Sequence, residues 1–263
     1  DPSTIDQQLD GFILTFKANS PAHSYVSLDS QGYATKTAEK QVISENAAVG
    51  VYYFKTGKTF VDHAEDMISN NIRTNNEFYI CPMFNTVIRE GGKVGIGCVD
   101  KMHVLGTPRE LEFFVDNVTY QFGERPVALC ADHSGYQAKE IAKTVLNKLN
   151  IPYIDFGPHV PKDSDYTDFV IQAVSAMKDK MCDFGMGFCR TGQGVNMFAN
   201  HNGARAALIF DEYTAEMSRR HNCANFFTIP EKYVTPSQIS DIINILRVTS
   251  FDGGRHMTRM SQH

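Results

Sequence analysis

The stretch GMGFCRTGQGVNMFAN, residues 185–200, decides how this 263-residue chain is read. A short apolar run ends in Cys189. Thr191, Gly192 and Gly194 follow, and then the apolar spacing becomes helical. That order predicts a buried strand, a tight glycine turn and the start of a helix. A helix entered through glycines presents backbone N–H groups without intrahelical partners, which suits an anion or a developing oxyanion. A cysteine at that place is either a candidate base beside the turn or a core residue of a plain strand-to-helix connection.

Working outward, the same alternation repeats on both sides. Upstream, Arg125 and Pro126 lead into VALCA at 127–131, an all-apolar strand of the kind buried on both faces. DHSGY at 132–136 follows, then a helix with Ala138, Ile141, Ala142, Val145, Leu146 and Leu149 on one stripe. A second strand is expected at 153–156 and a helix at 169–177, with Asp165 and Tyr166 in the loop between them. The third strand is 182–188. Downstream, strands at 204–209 and 226–229 alternate with helices at 211–221 and 236–248. Regular β–α alternation at this spacing means a doubly wound parallel sheet of Rossmann-like type. Ligands of such sheets bind beyond the carboxyl ends of the strands. The DHSGY loop, the loop at Asp165–Tyr166 and the CRTGQG loop all lie there, so they are expected to face one crevice.

The bulk numbers bound the function class. With 42% hydrophobic and 21% charged residues, the composition is that of a globular protein, long enough for one large or two small domains. A net charge of −5 without a polybasic run argues against a nucleic-acid partner. No apolar stretch approaches the roughly 20 residues that span a bilayer, so no membrane partner is expected. The six cysteines form no CxxC pair and sit mostly in apolar runs, which predicts reduced thiols, no disulfide framework and a cytoplasmic protein. No motif has the spacing of a metal site, so neither a metal nor another cofactor is expected.

Residues 1–117 read differently. GFILTF at 11–16 is strand-like, and 24–28 followed by the turn DSQG (29–32) reads as a hairpin. AAVGVYYF at 47–54 is another strand, 59–71 a helix, 78–88 a helix after Pro82, 93–99 a strand and 108–115 a helix. Residues 118–125 read as a linker and 126–263 as the second domain. GFILTF, AEK (38–40), AAVGVYYF and LGTPREL (105–111) together resemble the C-terminal part of the sugar-nucleotide pyrophosphorylase (nucleotidyltransferase) family. The resemblance implies a partial α/β domain in which Glu39 contacts sugar hydroxyls and Lys40 a sugar phosphate. The family's glycine-rich nucleotide loop and metal-binding Asp do not occur upstream of Gly11, so nucleotidyl transfer is not expected from this chain.

Four polar groups carry the candidate chemistry: Asp132 with His133, Cys189 with Thr191, His221 with Asn222, and GGRHMTR at 253–259. On a helix, Arg255 and Arg259 share one face, where two guanidinium groups suit a phosphate dianion. A base, a His–Asp pair, an oxyanion turn and an arginine pair are what enolisation of a phosphosugar needs.

The order ADHSGY, DFG and DY, CxTGxG, GARAAL, RHN and FDGGRH is similar to that of the ribose-5-phosphate isomerase B family, which includes galactose-6-phosphate isomerase subunits. The resemblance covers residues 126–263. It implies an aldose–ketose isomerase of the pentose phosphate type, acting through a cis-enediolate without a metal. Cys189 would move the proton between C1 and C2, and His221 assisted by Asp132 would open the sugar ring. His133, Lys232, Arg255 and Arg259 would hold the phosphate, and Tyr166 and Asn222 the hydroxyls. Thr191, Gly192 and Gly194 would form the enediolate hole. It also implies a homodimer with sites built across the interface. Five positions depart from the family pattern: Arg190 for glycine, Gln193 for a small aliphatic, His201 for lysine, Lys232 for arginine and Thr167 for proline. Arg190 either strains the loop or reads an additional substrate group. Two alternatives follow: a sugar-phosphate binding module without turnover, or the isomerase domain of a bifunctional nucleotide-sugar protein.

Overall fold

The computed structural model describes residues 5–260 of the chain. The chain divides into two compact units. The first comprises Asp1–Val104 with Gly253–Arg259, and the second Leu105–Asp252 with Met260–His263. The boundary therefore falls at 104/105 rather than at 117. Residues 118–125, expected as a linker, lie inside the second unit, where Phe122 is buried and packs on Phe184 and Phe227.

In the first unit, strands β1 (Gly11–Lys17), β2 (Ser24–Leu28), β3 (Ala34–Glu39), β4 (Asn46–Phe54) and β5 (Val94–Cys98) form one sheet in the order β3-β2-β4-β1-β5. Only the β1–β5 pair is parallel. The expected hairpin is β2–β3. Its turn is held by Asp29, whose Oδ1 accepts from the amides of Gln31 and Tyr33, each at 2.9 Å. Helix α1 (Gly57–Ser69) follows β4. The helix expected over 78–88 begins only at Cys81, as a 3-10 turn running into α2 (Phe84–Arg89), because Pro82 suits a first turn and not a helix interior. One face of the sheet packs Ile13, Val26 and Ala48 on Phe84 and Val87, and the other packs Phe16 on Tyr25 and Ala47. The segment with α9 (Arg255–Met260) joins this unit. Gly253 and Gly254 take left-handed conformations and the Gly254 amide donates to the Met102 carbonyl.

The second unit opens with α3 (Pro108–Asn117), entered through a capping box of Thr107 and Glu110. It continues as β6 (Val127–Ala131), α4 (Tyr136–Lys148), β7 (Tyr153–Asp155), α5 (Tyr166–Lys178), β8 (Phe184–Cys189), α6 (Gln193–His201), β9 (Ala206–Leu208), α7 (Glu212–Asn222), β10 (Phe226–Pro230) and α8 (Pro236–Val248). All neighbouring strands are parallel, in the order β7-β6-β8-β10-β9. This is the doubly wound sheet that the β–α alternation predicts. One face buries Leu129, Met186, Phe227 and Ile229 against Leu146 and Ile242. The other buries Cys130 and Phe226 against Val170, Val174, Val195 and Ala199. Strand order reverses between β6 and β8, so the carboxyl ends of those two strands flank the topological switch point. Among the described residues, no helix is long and apolar enough to cross a membrane.

Candidate active site

Asp132 and Cys189 stand at the switch point because they end neighbouring strands. Ala131 pairs with Phe188 in register, and the Asp132 amide donates to the Phe188 carbonyl at 3.2 Å. The DHSG turn then folds back over β8. Asp132 Oδ1 accepts the Gly135 amide at 2.8 Å. A Cβ on Gly135 would lie 2.2 Å from the Phe188 carbonyl oxygen, a backbone atom that cannot give way. Glycine is therefore required there by packing. In sequence DHSGY reads as a loop, and Gly135 gives no signal beyond a glycine two residues after a polar pair.

The wall opposite is the connection into α5. His133 Nδ1 lies 3.1 Å from the Ser164 carbonyl and 3.2 Å from Asp163 Oδ1, and with a hydrogen on Nδ1 the ring donates to both. Asp132, His133, Ser164, Asp165 and Tyr166 line one open cleft. Tyr166 is not in the loop, as expected from sequence, but is the first residue of α5, with Asp165 capping the helix onto the Thr167 amide at 3.1 Å. A Cβ on Gly194 would sit 2.8 Å from the Tyr166 ring and hydroxyl. Gly194 thus lets the phenol reach the first turn of α6.

The CRTGQG turn has the form read from sequence. Cys189 ends β8 and is 5% exposed, with its carbonyl accepting the Glu231 amide at 3.0 Å. Thr191 is exposed. Gly192 is the N-cap of α6 with φ +72°, and a Cβ there would lie 2.3 Å from Leu208 Cδ1. Arg190 is not among the residues with positive φ, so arginine at this position carries no backbone strain. It is exposed, and its carbonyl accepts the Lys232 amide at 3.0 Å, which sets Lys232 beside it on the crest. Helices α5, α7 and α8 are capped by Asp165, Asp211 and Thr235, whereas α4 and α6 carry no side-chain cap. The two uncapped helices start beside the switch point. Their first-turn N–H groups lack a side-chain acceptor of the chain's own and face the edge where an anion would bind. Replacing Gly192 by alanine is expected to cost about 2–3 kcal/mol from the left-handed backbone and the Leu208 clash together, and to lower kcat. Thermal unfolding and a rate assay on the variant check both.

Behind the crevice, Lys139 of α4 is completely buried. Its Nζ donates to Asp155 Oδ1 at 2.5 Å and to the Pro158 carbonyl at 2.6 Å. Asp155 Oδ1 also accepts the Gly157 amide at 3.0 Å, and Oδ2 accepts Lys143 Nζ at 2.9 Å. Burial works to raise the Asp155 carboxyl, but the bonds from Lys139, Lys143 and Gly157 outweigh it and hold it below the usual carboxylate value. The Gly157 carbonyl in turn accepts the Ala131 amide at 2.9 Å, immediately before Asp132. This buried pair ties the cleft wall to the strand end. In sequence Lys139 is simply one residue of a helix.

One expected group is not brought to the crevice within the chain. His221 and Asn222 are the last residues of α7, and Cys223 to Asn225 then turn into β10 at the amino ends of the strands, where the Asn225 carbonyl accepts the Gly185 amide. Cys189 is at the other end of six-residue β8, which spans roughly 16 Å. Within one chain these groups lie at opposite edges of the sheet. Arg255 and Arg259 share the short helix α9, as expected, in the segment counted with the first unit. In the first unit, Glu39 accepts from Ser24 Oγ and Lys40 Nζ donates to the Tyr79 hydroxyl at 2.6 Å, so both side chains are engaged locally. Among the described residues, no cluster of three or more His, Cys, Asp or Glu side chains is placed to hold a metal.

Comparison with known proteins places the second unit's fold in a family. Residues 127–263 match the family model described as ribose/galactose isomerase. A solved structure of ribose-5-phosphate isomerase B from Clostridium thermocellum is 37% identical, with a TM-score of 0.51 over 52% of this chain and 93% of that one. One from Mycoplasma genitalium, solved with bound ribulose-5-phosphate, is 32% identical with a TM-score of 0.50 over 53% and 93%. The Listeria innocua protein named ribose-5-P isomerase B is 30% identical over 135 residues, 51% of this chain and 91% of its own length.

Proposed function

The chain belongs, over residues 127–263, to the ribose/galactose isomerase family, and we propose that it interconverts ribose 5-phosphate and ribulose 5-phosphate. The carrying observation is Cys189 at the end of β8, beside the uncapped N-terminus of α6 at the topological switch point. Cys189 takes the proton from the carbon next to the carbonyl and returns it to the neighbouring carbon. The enediolate formed between these steps carries negative charge on its oxygens, and the turn at Thr191, Gly192 and Gly194 meets that charge with N–H donors. Tyr166 holds a sugar hydroxyl. His133 and Lys232 take the phosphate, and Arg255 and Arg259 are further phosphate ligands nominated by the family resemblance. The reading needs no metal or cofactor.

His221 and Asn222 complete the proposal only if a second copy contributes, with Asp132 of the first chain assisting. Because His221 lies at the far edge of its own sheet, ring opening by His221 beside Cys189 requires His221 of the second chain. A homodimer with sites across its interface satisfies this. Complementation tests it. Cys189→Ala and His221→Ala are each expected to be nearly inactive. Unfolding and refolding an equal mixture should restore about a quarter of wild-type activity, since half the dimers are mixed and each has one intact site of two. An active mixture no better than its components would reject the shared site. A coupled assay on ribose 5-phosphate, allose 6-phosphate and galactose 6-phosphate names the sugar. No turnover on any of them, with thermal stabilisation by a phosphosugar, would replace the isomerase reading with a binding module.

A further inference from the structure

Helix α6 meets the crevice with its first turn, and a polar relay between that turn and the sheet fixes where it lies. The first intrahelical bond runs from the Asn196 amide to the Gly192 carbonyl at 3.0 Å, so Asn196 is where the open N-terminal turn becomes closed helix. The Asn196 side chain points onto the sheet, and its Nδ2 donates to Thr228 Oγ1 at 3.1 Å. Thr228 is completely buried in the middle of β10, paired in register with Gly187 of β8 and Leu208 of β9. A hydroxyl has one hydrogen to give, and Thr228 Oγ1 gives it to the Ala207 carbonyl of β9 at 3.1 Å. Accepting one bond and donating the other, the hydroxyl joins the start of α6 to two strands.

Packing alone would not set this register. Helix α6 lies close on the sheet because β8 carries Gly187, where a Cβ would lie 2.4 Å from Val195 Cγ1. That contact is apolar. Apolar contacts decide how near two elements lie, but not how one slides or turns on the other. A hydrogen bond is directional, so the bond to Thr228 fixes the rotation and axial position of α6 at its first turn. One turn further on, Asn200 ties the same helix to β9. Its Nδ2 donates to the Ala206 carbonyl and its Oδ1 accepts the Ala206 amide, each at 3.0 Å. Gly187, in register with Thr228, stands two residues before Cys189. The relay therefore references the first-turn N–H donors to the strand that ends in the proposed base.

We infer that Thr228, acting through Asn196, is a positioning residue for the enediolate turn at Thr191, Gly192 and Gly194, an assignment that rests on the isomerase reading of the crevice. A misplaced donor stabilises the developing charge less, while the groups proposed for the phosphate, His133 and Lys232, lie outside α6 and keep their grip. The loss therefore falls on kcat rather than KM. Steady-state kinetics of the whole chain with ribose 5-phosphate tests it. Thr228→Val, of the same shape without the hydroxyl, should lower kcat about tenfold with KM within about twofold, and Thr228→Ser should recover most of the rate. Asn196→Ala, at a half-buried position, should cost the same and carries the test if Thr228→Val does not fold. The double variant should lose no more than either single one, since the two residues act in series. Amide hydrogen exchange needs no substrate. In Thr228→Val the Asn196 amide should exchange at least about fivefold faster relative to Leu129 of β6, which reports global opening. Wild-type kcat in Thr228→Val, a change in KM instead of kcat, a Thr228→Ser protein as slow as Thr228→Val, or additive losses in the double variant would each overturn the assignment. A wild-type chain without turnover would remove the isomerase reading alone. Exchange then decides the relay: a faster Asn196 amide in Thr228→Val upholds it, and an unchanged one overturns it.

Discussion

Replacing Cys189 by alanine is expected to lower kcat by about 10³-fold or more while leaving KM for the phosphosugar within a few-fold of wild type. The asymmetry follows from what the thiol touches. Cys189 sits at the end of β8, 5% exposed, where the proposed mechanism puts the reacting carbons. The groups proposed for the phosphate, His133 and Lys232, lie on the DHSG turn and after β10. Losing a base that acts only in the transition state reduces kcat and kcat/KM together. The fold should survive, because Cys189 to Ala removes one sulfur from a position at the rim of the core. Steady-state kinetics on both proteins, with thermal unfolding as the folding control, decides the matter. A variant that retains wild-type kcat would remove Cys189 from the chemistry. A variant that loses affinity rather than rate would make it a binding residue.

Lys139→Met should give the largest loss of stability, about 3 kcal/mol, and lower the melting temperature of the second unit by roughly 6–12 °C. The lysine is completely buried, and its removal leaves Asp155 with a side chain only 10% exposed and one cation, Lys143, instead of two. Uncompensated buried charge is the expensive part, not the loss of the bond itself. Combining Lys139→Met with Asp155→Asn should therefore recover part of the loss, since the amide oxygen still accepts from Gly157 and no charge is stranded. The pH dependence has a fixed sign. Asp155 titrates below the usual 3.8 in the folded chain, so its contribution is present above that value and is lost as pH falls through the lower folded value. Wild type and Lys139→Met should thus converge in stability in strong acid. A gap that stays constant from neutral pH downward would mean that the lysine stabilises by packing alone.

Much of the crevice was legible because local rules decide it. GFC followed by RTGQG gives a strand, a left-handed glycine and a helix start whatever surrounds it, and Gly192 takes the positive φ that its place demands. Asp211 and Thr235 cap their helices where Ser, Thr or Asp precedes an apolar stripe. Gly135 and Lys139 escaped notice because their roles lie in contacts with residues far along the chain. A glycine required by the Phe188 carbonyl looks, in sequence, like any turn glycine. A lysine buried against Asp155 looks like a solvated helix lysine.

The sequence by itself determined the second unit's parallel sheet and the gathering of the loops at Asp132, Tyr166 and Cys189 at the carboxyl ends of the strands, while the strand order that sets the switch point came from the structure. Alternation of apolar period fixes the order of elements, and right-handed crossovers fix the edge at which each loop emerges. Only the tertiary structure decided that His221 and Asn222 end at the opposite edge, and that 118–125 is core rather than linker. Only it showed that the segment with Arg255 and Arg259 joins the first unit. Those outcomes depend on which surfaces bury Phe122 and where Gly253 and Gly254 turn the chain onto Met102. Such burial is a competition among distant partners, and no window of neighbouring residues contains both sides of it.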